Sequence, residues 1–265
     1  MVEVLKKIVD RRLARINKDG LSFGFDIPKD RKLPVIKPDF KQGVIISEVK
    51  RGSPSEGKMN DIKDPIKWVS NYIDGGANII SVLTEMDFFL GSIGDLTKIK
   101  KTFPNMAILR KDFLLYEEEV EISYKIGSDM VLLIAAILDW DSLKKMKVRA
   151  DLLGILPLIE VHNEKELDMV LPLKPQLIGI NSRDLNTFRI DKNYPFALKR
   201  IIELDNQKNS YQTSIVFESG VKSQIDSFFI ANSGFKGILV GSSIVKSEDS
   251  TNQIKLLKNG FQIGS

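Results

Sequence analysis

The fold is decided by the stretch Gly154-Ile155-Leu156-Pro157-Leu158-Ile159, which Glu160 follows directly. Six largely apolar residues in a row are typical of a parallel strand that is buried on both faces. Because burying an unpaired charge is costly, an acid directly after such a run indicates a position with a charged partner or a chemical role. The stretch therefore predicts a buried strand with a reactive C-terminal end.

Seven further apolar runs of this kind alternate with helical patterns along the chain. The runs cover residues 44–46, 79–83, 107–109, 130–134, 177–180, 214–217 and 237–240. The helical patterns cover residues 65–73, 117–126, 142–148, 164–170, 196–204, 222–231 and 253–257. Eight strands with intervening helices predict a (β/α)8 TIM barrel, which typically takes about 250 residues. An open doubly wound sheet is the alternative, but no glycine-rich dinucleotide turn follows the first run.

The N-terminal part of the chain predicts an extra helix in front of the barrel. Its apolar face is formed by Leu5, Ile8, Val9, Leu13 and Ile16. Gly20 is a stop signal for this helix, and the residues after it read as a loop. Such a helix could also lie on a membrane or serve as a transit segment, but Glu3 and Asp10 interrupt its basic face. We expect a single domain over residues 1–265, with 1–42 as a helix-and-loop extension.

Composition excludes several kinds of chemistry. The 265 residues include no cysteine and one histidine, which excludes disulfides, thiolate nucleophiles and metal sites built from several histidines. A carboxylate site for Mg²⁺ stays open. The net charge of +4 without a dense run of lysine and arginine favours a small anionic ligand over nucleic acid. No apolar stretch of about 18 residues occurs, so no membrane span is predicted. We expect a cytoplasmic protein that acts as a monomer.

Charged residues follow the predicted strands where the side chains of a barrel converge. Glu48 and Lys50 come after the first run and lie on the same side of the chain by strand alternation. For this pair alone a structural ion pair is the simpler interpretation. Surface charge is the simpler interpretation of each residue in 110–112, which follow the third run. A cavity for acid–base chemistry is predicted, in which Lys50 and Lys111 face three carboxylates, with two further polar residues at the rim. The carboxylates are Glu48, Glu160 and Glu218, and the rim residues are Asn181 and Arg183.

Two glycine–serine turns at the end of the predicted barrel suit a phosphate group. Ser219-Gly220 follows Glu218 after the seventh run, and Gly241-Ser242 follows the eighth. Glycine lets backbone N–H groups approach an anion closely, and the loops after strands seven and eight often bind phosphate in barrels. The sequence therefore predicts a phosphorylated small-molecule ligand.

These segments resemble the indole-3-glycerol-phosphate synthase family of tryptophan biosynthesis. The matching stretches are residues 47–55, 81–85 with Phe88 and Phe89, 109–113, 159–162, 179–185, 218–220 and 239–242. They occur in order and fall at strand ends. Gly52 stands where an alanine is expected, and Phe217 stands where a smaller polar residue is expected, which could alter the packing of either loop.

The resemblance implies a carboxy-lyase reaction and assigns roles to individual residues. The implied substrate is 1-(2-carboxyphenylamino)-1-deoxyribulose 5-phosphate, and no metal or cofactor is implied. The implied catalytic residues are Lys111 as general acid, Glu160 as general base, Lys50, Glu48, Asn181 and Glu218. The implied substrate contacts are Ser53, Pro54, Phe89, Phe113, Arg183 and Leu185. The implied phosphate contacts are Ser219, Gly220, Gly241 and Ser242.

Two other functions are consistent with a phosphate-binding barrel. A sugar-phosphate isomerase needs a differently placed acid–base pair, which the segments around Lys111 and Glu160 match less well. A binding protein without catalytic activity would not need the full set of charged groups. His162 should share the strand face of Glu160, where a structural hydrogen bond is favoured over a catalytic role.

Overall fold

The structure is a computed structural model, and it describes residues 3–54, 57–59, 64–184, 187 and 189–264. Eight parallel strands form a closed barrel in which each strand pairs with its neighbours in the chain and the last pairs with the first. The strands are β1 Val44–Val49, β2 Ile79–Leu83, β3 Ala107–Lys111, β4 Met130–Ile134, β5 Leu156–Val161, β6 Leu177–Asn181, β7 Ser214–Glu218 and β8 Gly237–Val240. The predicted barrel is confirmed.

Helices cover the outside of the barrel. They are α1 Glu3–Asp19, α2 Pro65–Asp74, α3 Ile93–Thr102, α4 Glu117–Ile126, α5 Trp140–Leu153, α6 Glu164–Val170, α7 Tyr194–Asn209, α8 Gln224–Asn232, α9 Ser242–Val245 and α10 Ser250–Gly264. A 3-10 turn, Leu171–Leu173, extends α6, and Gly52–Ser53 pairs with Gly57–Lys58 in a short hairpin after β1. In the described part of the chain, no helix is long and apolar enough to cross a membrane.

Strand alternation separates the two sides of the barrel wall. Inward-facing residues fill the barrel itself and include Ile46, Ile79, Leu109, Leu132, Leu158, Val216 and Leu239. Outward-facing residues pack under the helices and include Ile45, Ile80, Ile108, Val131, Ile159, Ile178, Phe217 and Ile238. Both sides are therefore apolar, which explains why the strands appear as uninterrupted apolar runs in the sequence.

Phe217 takes no part in the barrel interior. Its ring lies 6.0 Å from that of Phe196 and 5.3 Å from that of Phe235, under the helix layer. The unexpected aromatic residue before Glu218 therefore packs away from the strand end where Glu218 points. Similarly, a side chain at Gly52 would lie 3.0 Å from the backbone oxygen of Gly57 in the hairpin, so this position is close-packed.

Helix α3 was not among the helical patterns of the sequence. Its apolar residues Ile93, Leu96 and Ile99 are buried, but most of the other residues of the helix are polar or charged. Lys100 is itself buried, and its ammonium lies 2.7 Å from Asp129. The local sequence does not reveal this tertiary ion pair, so the lysine obscures the buried face of the helix.

The N-terminal extension is attached to the barrel by buried arginines. Leu5, Ile8 and Val9 of α1 are buried against the barrel, which favours packing over a membrane or transit role. Arg12 of α1 forms buried ion pairs with Asp112 and Glu119. In the loop that follows, Arg31 pairs with Asp129 at 2.7 Å. The predicted helix and loop are confirmed, while the division into one domain with a 1–42 extension stays a prediction.

Candidate active site

A cavity of about 550 Å³ opens at the C-terminal ends of the barrel strands. Each predicted site residue that the structure describes lines it. These residues are Glu48, Lys50, Ser53, Pro54, Phe89, Lys111, Phe113, Glu160, Asn181, Arg183, Glu218, Ser219, Gly220, Gly241 and Ser242. Leu185 lies outside the described residues. The sequence therefore located the cavity, while the role of each residue stays a prediction.

Lys111 is the last residue of β3, and its ammonium lies between two carboxylates. Its Nζ is 3.2 Å from Glu160 at the end of β5 and 3.6 Å from Glu218 at the end of β7. Burial lowers the pKa of Lys111, but the negative charges of Glu160, Glu218 and Glu48 raise it by more. The net shift is upward, so Lys111 is a protonated acid at neutral pH.

The two carboxyl groups beside Lys111 differ in their affinity for a proton. Burial raises the pKa of Glu160, but the positive charges of Lys111 and His162 lower it by more, so the pKa falls well below its usual range. Burial and the negative charge of Glu160 raise the pKa of Glu218 to about 8. Because two close carboxylates resist double ionisation, Glu160 carries the charge and Glu218 holds a proton at neutral pH.

Glu160 has donors on both of its carboxylate oxygens. Asn181 at the end of β6 donates from Nδ2 to Oε1 at 3.2 Å, and Lys111 donates to Oε2 at 3.2 Å. The side-chain oxygen of Asn181 accepts the backbone N–H of Arg183 at 3.0 Å. This chain of contacts fixes the carboxylate at one place in the cavity wall.

A second ion pair lies on the β1 side of the cavity. The ammonium of Lys50 is 2.9 Å from Glu48 and donates to the hydroxyl of Ser242 at 3.3 Å. Lys50 is therefore held between the carboxylate of β1 and the glycine–serine turn after β8. Its side chain keeps 11% of its surface exposed, so the ammonium remains accessible to an anion.

Two glycines provide the space that the carboxyl groups occupy. A Cβ built on Gly179 of β6 would overlap Oε1 of Glu218, and a Cβ built on Gly241 would overlap Oε1 of Glu48. Gly241 was assigned to phosphate from the sequence, and this contact gives it a second reason to be glycine. Gly179 lies inside a predicted strand, where only the structure reveals its contact with Glu218.

The turn after β7 has the backbone expected of an anion-binding loop. Ser219 and Gly220 both have positive φ angles, 69° and 79°. This conformation is uncommon for serine and is associated with functional sites. The hydroxyl of Ser182 donates to the backbone oxygen of Ser219 at 3.0 Å and holds the turn in place. On the other side, Ser242 begins the short helix α9.

Aromatic and aliphatic side chains also line the cavity. The rings of Phe89 and Phe113 are 5.7 Å apart, and Pro54 also lines the cavity. The loop of Phe89 is fixed by the buried carboxylate of Glu85, which accepts the backbone N–H of Phe89 at 2.9 Å. Such a wall suits a flat aromatic ligand.

Several cavity residues were not identified from the sequence. Val4, Leu5 and Ile8 of α1 line the cavity, as do Lys222 and Lys246. In the sequence, the apolar residues of α1 indicate only a helix that packs on the barrel. No sequence pattern near them indicates that they reach the cavity. Both lysines lie several positions beyond the end of the preceding strand, so a position at a strand end does not indicate them.

The surroundings of Lys111 also differ from the sequence-based interpretation of its neighbours. Arg110 and Asp112 are fully buried and form an ion pair at 3.0 Å, so they are not surface charges.

No group of three histidine, aspartate or glutamate side chains in the described ranges is placed to hold a metal ion.

Comparison with known proteins identifies the family. The family model for indole-3-glycerol phosphate synthase matches residues 5–257. The chain belongs to this family. An indole-3-glycerol phosphate synthase of Bacillus mycoides is 32% identical over 252 residues, which cover 95% of this chain and 96% of that protein. One of Acetivibrio thermocellus is 37% identical over 214 residues, with 81% and 79% covered.

Solved structures with little sequence identity share the fold. The 3-hexulose-6-phosphate synthase of Salmonella typhimurium has a TM-score of 0.62 at 12% identity and covers 84% of this chain and all of its own. The tryptophan synthase alpha subunit of Legionella pneumophila has a TM-score of 0.60 at 8% identity, with 83% and 92% covered. At these identities the likeness shows the barrel architecture alone.

Proposed function

We propose that this chain converts 1-(2-carboxyphenylamino)-1-deoxyribulose 5-phosphate to indole-3-glycerol phosphate, CO2 and water. Membership of the indole-3-glycerol phosphate synthase family supports this reaction. The observation that carries the proposal is the ammonium of Lys111 between the carboxyl groups of Glu160 and Glu218 in the cavity. Ring closure and dehydration need an acid and a base at one place, and this arrangement supplies both.

The substrate phosphate is assigned to the turns after β7 and β8. Ser219, Gly220, Gly241 and Ser242 line that side of the cavity, and the positive φ of Gly220 supports a close approach of its backbone to an anion. Lys50 donates to the Ser242 hydroxyl, which places its charge within reach of the phosphate or of the substrate carboxylate.

The aromatic ring of the substrate is assigned to the apolar wall. Phe89, Phe113 and Pro54 offer faces against which a benzene ring can pack, and Ser53 lies beside them in the cavity lining. Arg183 is assigned to the anthranilate side, where its guanidinium would meet the carboxylate. Leu185 is assigned to the same side from the resemblance.

In the first step, the ring carbon that bears the carboxylate bonds to the C2 carbonyl carbon of the ribulose chain. The carbonyl π electrons move to oxygen, which takes a proton from the ammonium of Lys111. The bond to the carboxylate then breaks, CO2 leaves, and the electron pair restores the aromatic ring. An ammonium held in place before the reaction stabilises the developing oxyanion.

In the second step, Glu160 removes a proton from C1, and the new hydroxyl leaves as water with a proton from Lys50. Glu48 orients Lys50, while Asn181 and Glu218 hold the sugar hydroxyls. Lys111 and Lys50 each donate one proton and Glu160 accepts one, so each turnover consumes one proton from solvent. This matches the conversion of a carboxylate into neutral CO2.

A turnover assay tests the proposed reaction. Folded wild-type protein should convert the carboxyphenylamino substrate with a rise of indole fluorescence and release one CO2 for each indole formed. A sugar-phosphate isomerase would change its substrate without releasing CO2, and a non-catalytic binding protein would produce neither signal. Either result with correctly folded protein would contradict the proposal. The monomeric state, the cytoplasmic location and the lack of a cofactor stay predictions from the sequence.

A further inference from the structure

The single histidine of the chain lies between two carboxylates behind the active site. His162 directly follows β5, and only 5% of its side chain is exposed. Its Nε2 lies 3.0 Å from Oε1 of Glu160, and its Nδ1 lies 3.0 Å from Oε2 of Glu166 in α6. His162 is not among the residues that line the cavity, so it contacts Glu160 from the side away from the substrate.

The positions of the two carboxylates determine the charge of the ring. A neutral imidazole has one N–H group and one nitrogen lone pair, so it can donate to only one of the two glutamates. The lone pair would then face a carboxylate oxygen at 3.0 Å, which is repulsive. An imidazolium carries a proton on both nitrogens, so it donates from Nδ1 to Glu166 and faces Glu160 with the positive charge of Nε2 in an ion pair at 3.0 Å.

Glu166 is fixed independently of the histidine ring. Its carboxylate accepts the backbone N–H of His162 at 2.8 Å and the side-chain amide of Asn163 at 2.6 Å. Asn163 in turn caps α6 by accepting the backbone N–H of Glu166 at 3.0 Å. The start of α6 therefore holds Glu166, and Glu166 holds the ring.

Glu160 needs a partner on this side because its other partners face the cavity. Lys111 and Asn181 both contact Glu160 from the cavity wall. When Lys111 turns its ammonium toward the substrate carbonyl, Glu160 loses its nearest cation on that side. His162 remains in contact from behind, since no part of the proposed reaction requires it to move.

We propose that His162 is a positioning residue, an imidazolium anchored by Glu166 that keeps the carboxylate of Glu160 ionised and oriented while Lys111 acts on the substrate. It rests on the proposed function, because Glu160 is the base only in that reaction. The pKa of the ring agrees with this role. Burial lowers it, but Glu160 and Glu166 raise it by more, to about 10.

The charged groups around the ring come from four elements. Glu160 lies on β5 with His162, Glu166 faces the ring from α6, and Lys111 of β3 acts on it through Glu160. The positive charge of the ring also lowers the pKa of Glu218 on β7. Removing the ring leaves Glu160 with a single cation, which raises the pKa of Glu160. As the pH falls, Glu160 is then protonated, and can no longer act as a base, at a higher pH than in the wild-type protein.

The first experiment is a ¹⁵N NMR titration of the histidine ring, which is unambiguous in a chain with one histidine. We expect both ring nitrogens to carry protons at pH 8 in the wild-type protein. Glu166→Gln should bring the titration to lower pH. A wild-type ring that titrates near the ordinary pKa of about 6.5 would overturn the proposal, whether or not the protein turns over substrate.

The second experiment compares the kinetics of His162→Leu and His162→Gln. A misplaced base costs on the order of 10- to 100-fold in rate, so we expect kcat of His162→Leu to fall within this range with KM nearly unchanged. The acid limb of its pH profile should move to higher pH. His162→Gln, which keeps a donor, should recover part of kcat, and the exposed control Lys165→Leu should match the wild type.

The two experiments separate the two proposals. A wild-type protein without turnover contradicts the proposed function, while the ring titration still tests the imidazolium. If the wild type is active and His162→Leu has the same kcat and the same acid limb, the positioning role is wrong.

Discussion

Arg110 and Lys111 are consecutive cations of one strand, yet they lie in opposite environments. Arg110 points outward under the helices and is fully buried, with Asp112 at 3.0 Å, the hydroxyl of Ser123 at 3.0 Å and that of Thr84 at 3.1 Å. Lys111 points inward, and 17% of its side chain is exposed to the cavity. Because side chains alternate along a strand, Arg110 belongs to a buried ion-pair network outside the barrel, while Lys111 faces the cavity.

The two regions differ in how their charges are paired and in whether a ligand can reach them. Around Arg110, charges pair within the protein, since Arg12 also contacts Asp112 and Glu119. Around Lys111, Glu160 and Glu218 compete for one ammonium, so one of them takes up a proton instead. A fully paired buried network stabilises a fold, whereas an unevenly paired one beside a cavity can exchange protons with a substrate.

The largest expected effect is on folding when the structural network is broken. Arg110→Met removes one of the two buried guanidinium groups that pair with Asp112, and it removes the Arg110 donor from the hydroxyl oxygens of Ser123 and Thr84. We expect the free energy of unfolding to fall by about 3 kcal/mol, the scale for breaking a buried ion pair. Urea unfolding followed by circular dichroism measures it. A loss below about 1 kcal/mol would mean that Arg110 is not structural.

The same substitution one residue later should affect activity instead. Lys111→Met removes the proposed acid, and we expect kcat to fall by about 10²-fold or more. Its unfolding free energy should fall by less than that of Arg110→Met, because the cavity admits water to the remaining carboxylates. Steady-state kinetics and urea unfolding on both variants test the comparison. Equal losses of stability would contradict it.

The next effect concerns the space that holds Glu218. Gly179→Ala introduces a Cβ that overlaps Oε1 of Glu218, and overpacking of this kind costs about 1–3 kcal/mol. The shorter side chain in the double variant Gly179→Ala with Glu218→Asp should relieve most of this loss. Urea unfolding of both variants measures it. If the double variant is no more stable than Gly179→Ala, the contact with Glu218 is not the cause.

The smallest effect is the change of stability over one pH unit, although this change accumulates between pH 4.5 and about 8. The pKa of Glu218 is raised from 4.5 to about 8 on folding, so the folded state binds more protons than the unfolded state between these values. Stability from this group is present below pH 4.5 and is lost as the pH rises to about 8, by up to about 1.4 kcal/mol per unit. In Glu218→Gln the decline should be shallower. Equal slopes in urea unfolding between pH 5 and pH 8 would contradict the assignment.

Much of the barrel could be predicted because its strands are apolar on both faces. Residues 130–134, for example, read as one uninterrupted run and form β4 with the same bounds. Helix α3 could not be predicted in this way, since its buried Lys100 has its partners outside the helix, in Asp129 and the backbone oxygen of Met106. Sequence periodicity detects burial by apolar side chains and does not detect burial by distant ion pairs.

The site could be predicted from the sequence because a barrel brings the C-terminal ends of its strands together at one face. Glu160 and Lys111 are 49 positions apart in the sequence, but each lies at the end of an apolar run, Glu160 directly after it and Lys111 one residue further on. The contacts of α1 with the cavity, the space at Gly179 and the burial of Arg110 depend on how elements pack against each other. Such contacts have no local pattern, so only the structure reveals them.

The central claim is that the ammonium of Lys111 supplies the proton for ring closure, and chemical rescue of Lys111→Ala tests it most directly. This variant leaves a space in which a small ammonium ion can sit between Glu160 and Glu218. We predict that kcat of Lys111→Ala rises with the concentration of ethylammonium, while Lys111→Met, whose side chain fills the space, does not respond. Wild-type turnover by Lys111→Ala without any added amine would contradict the account.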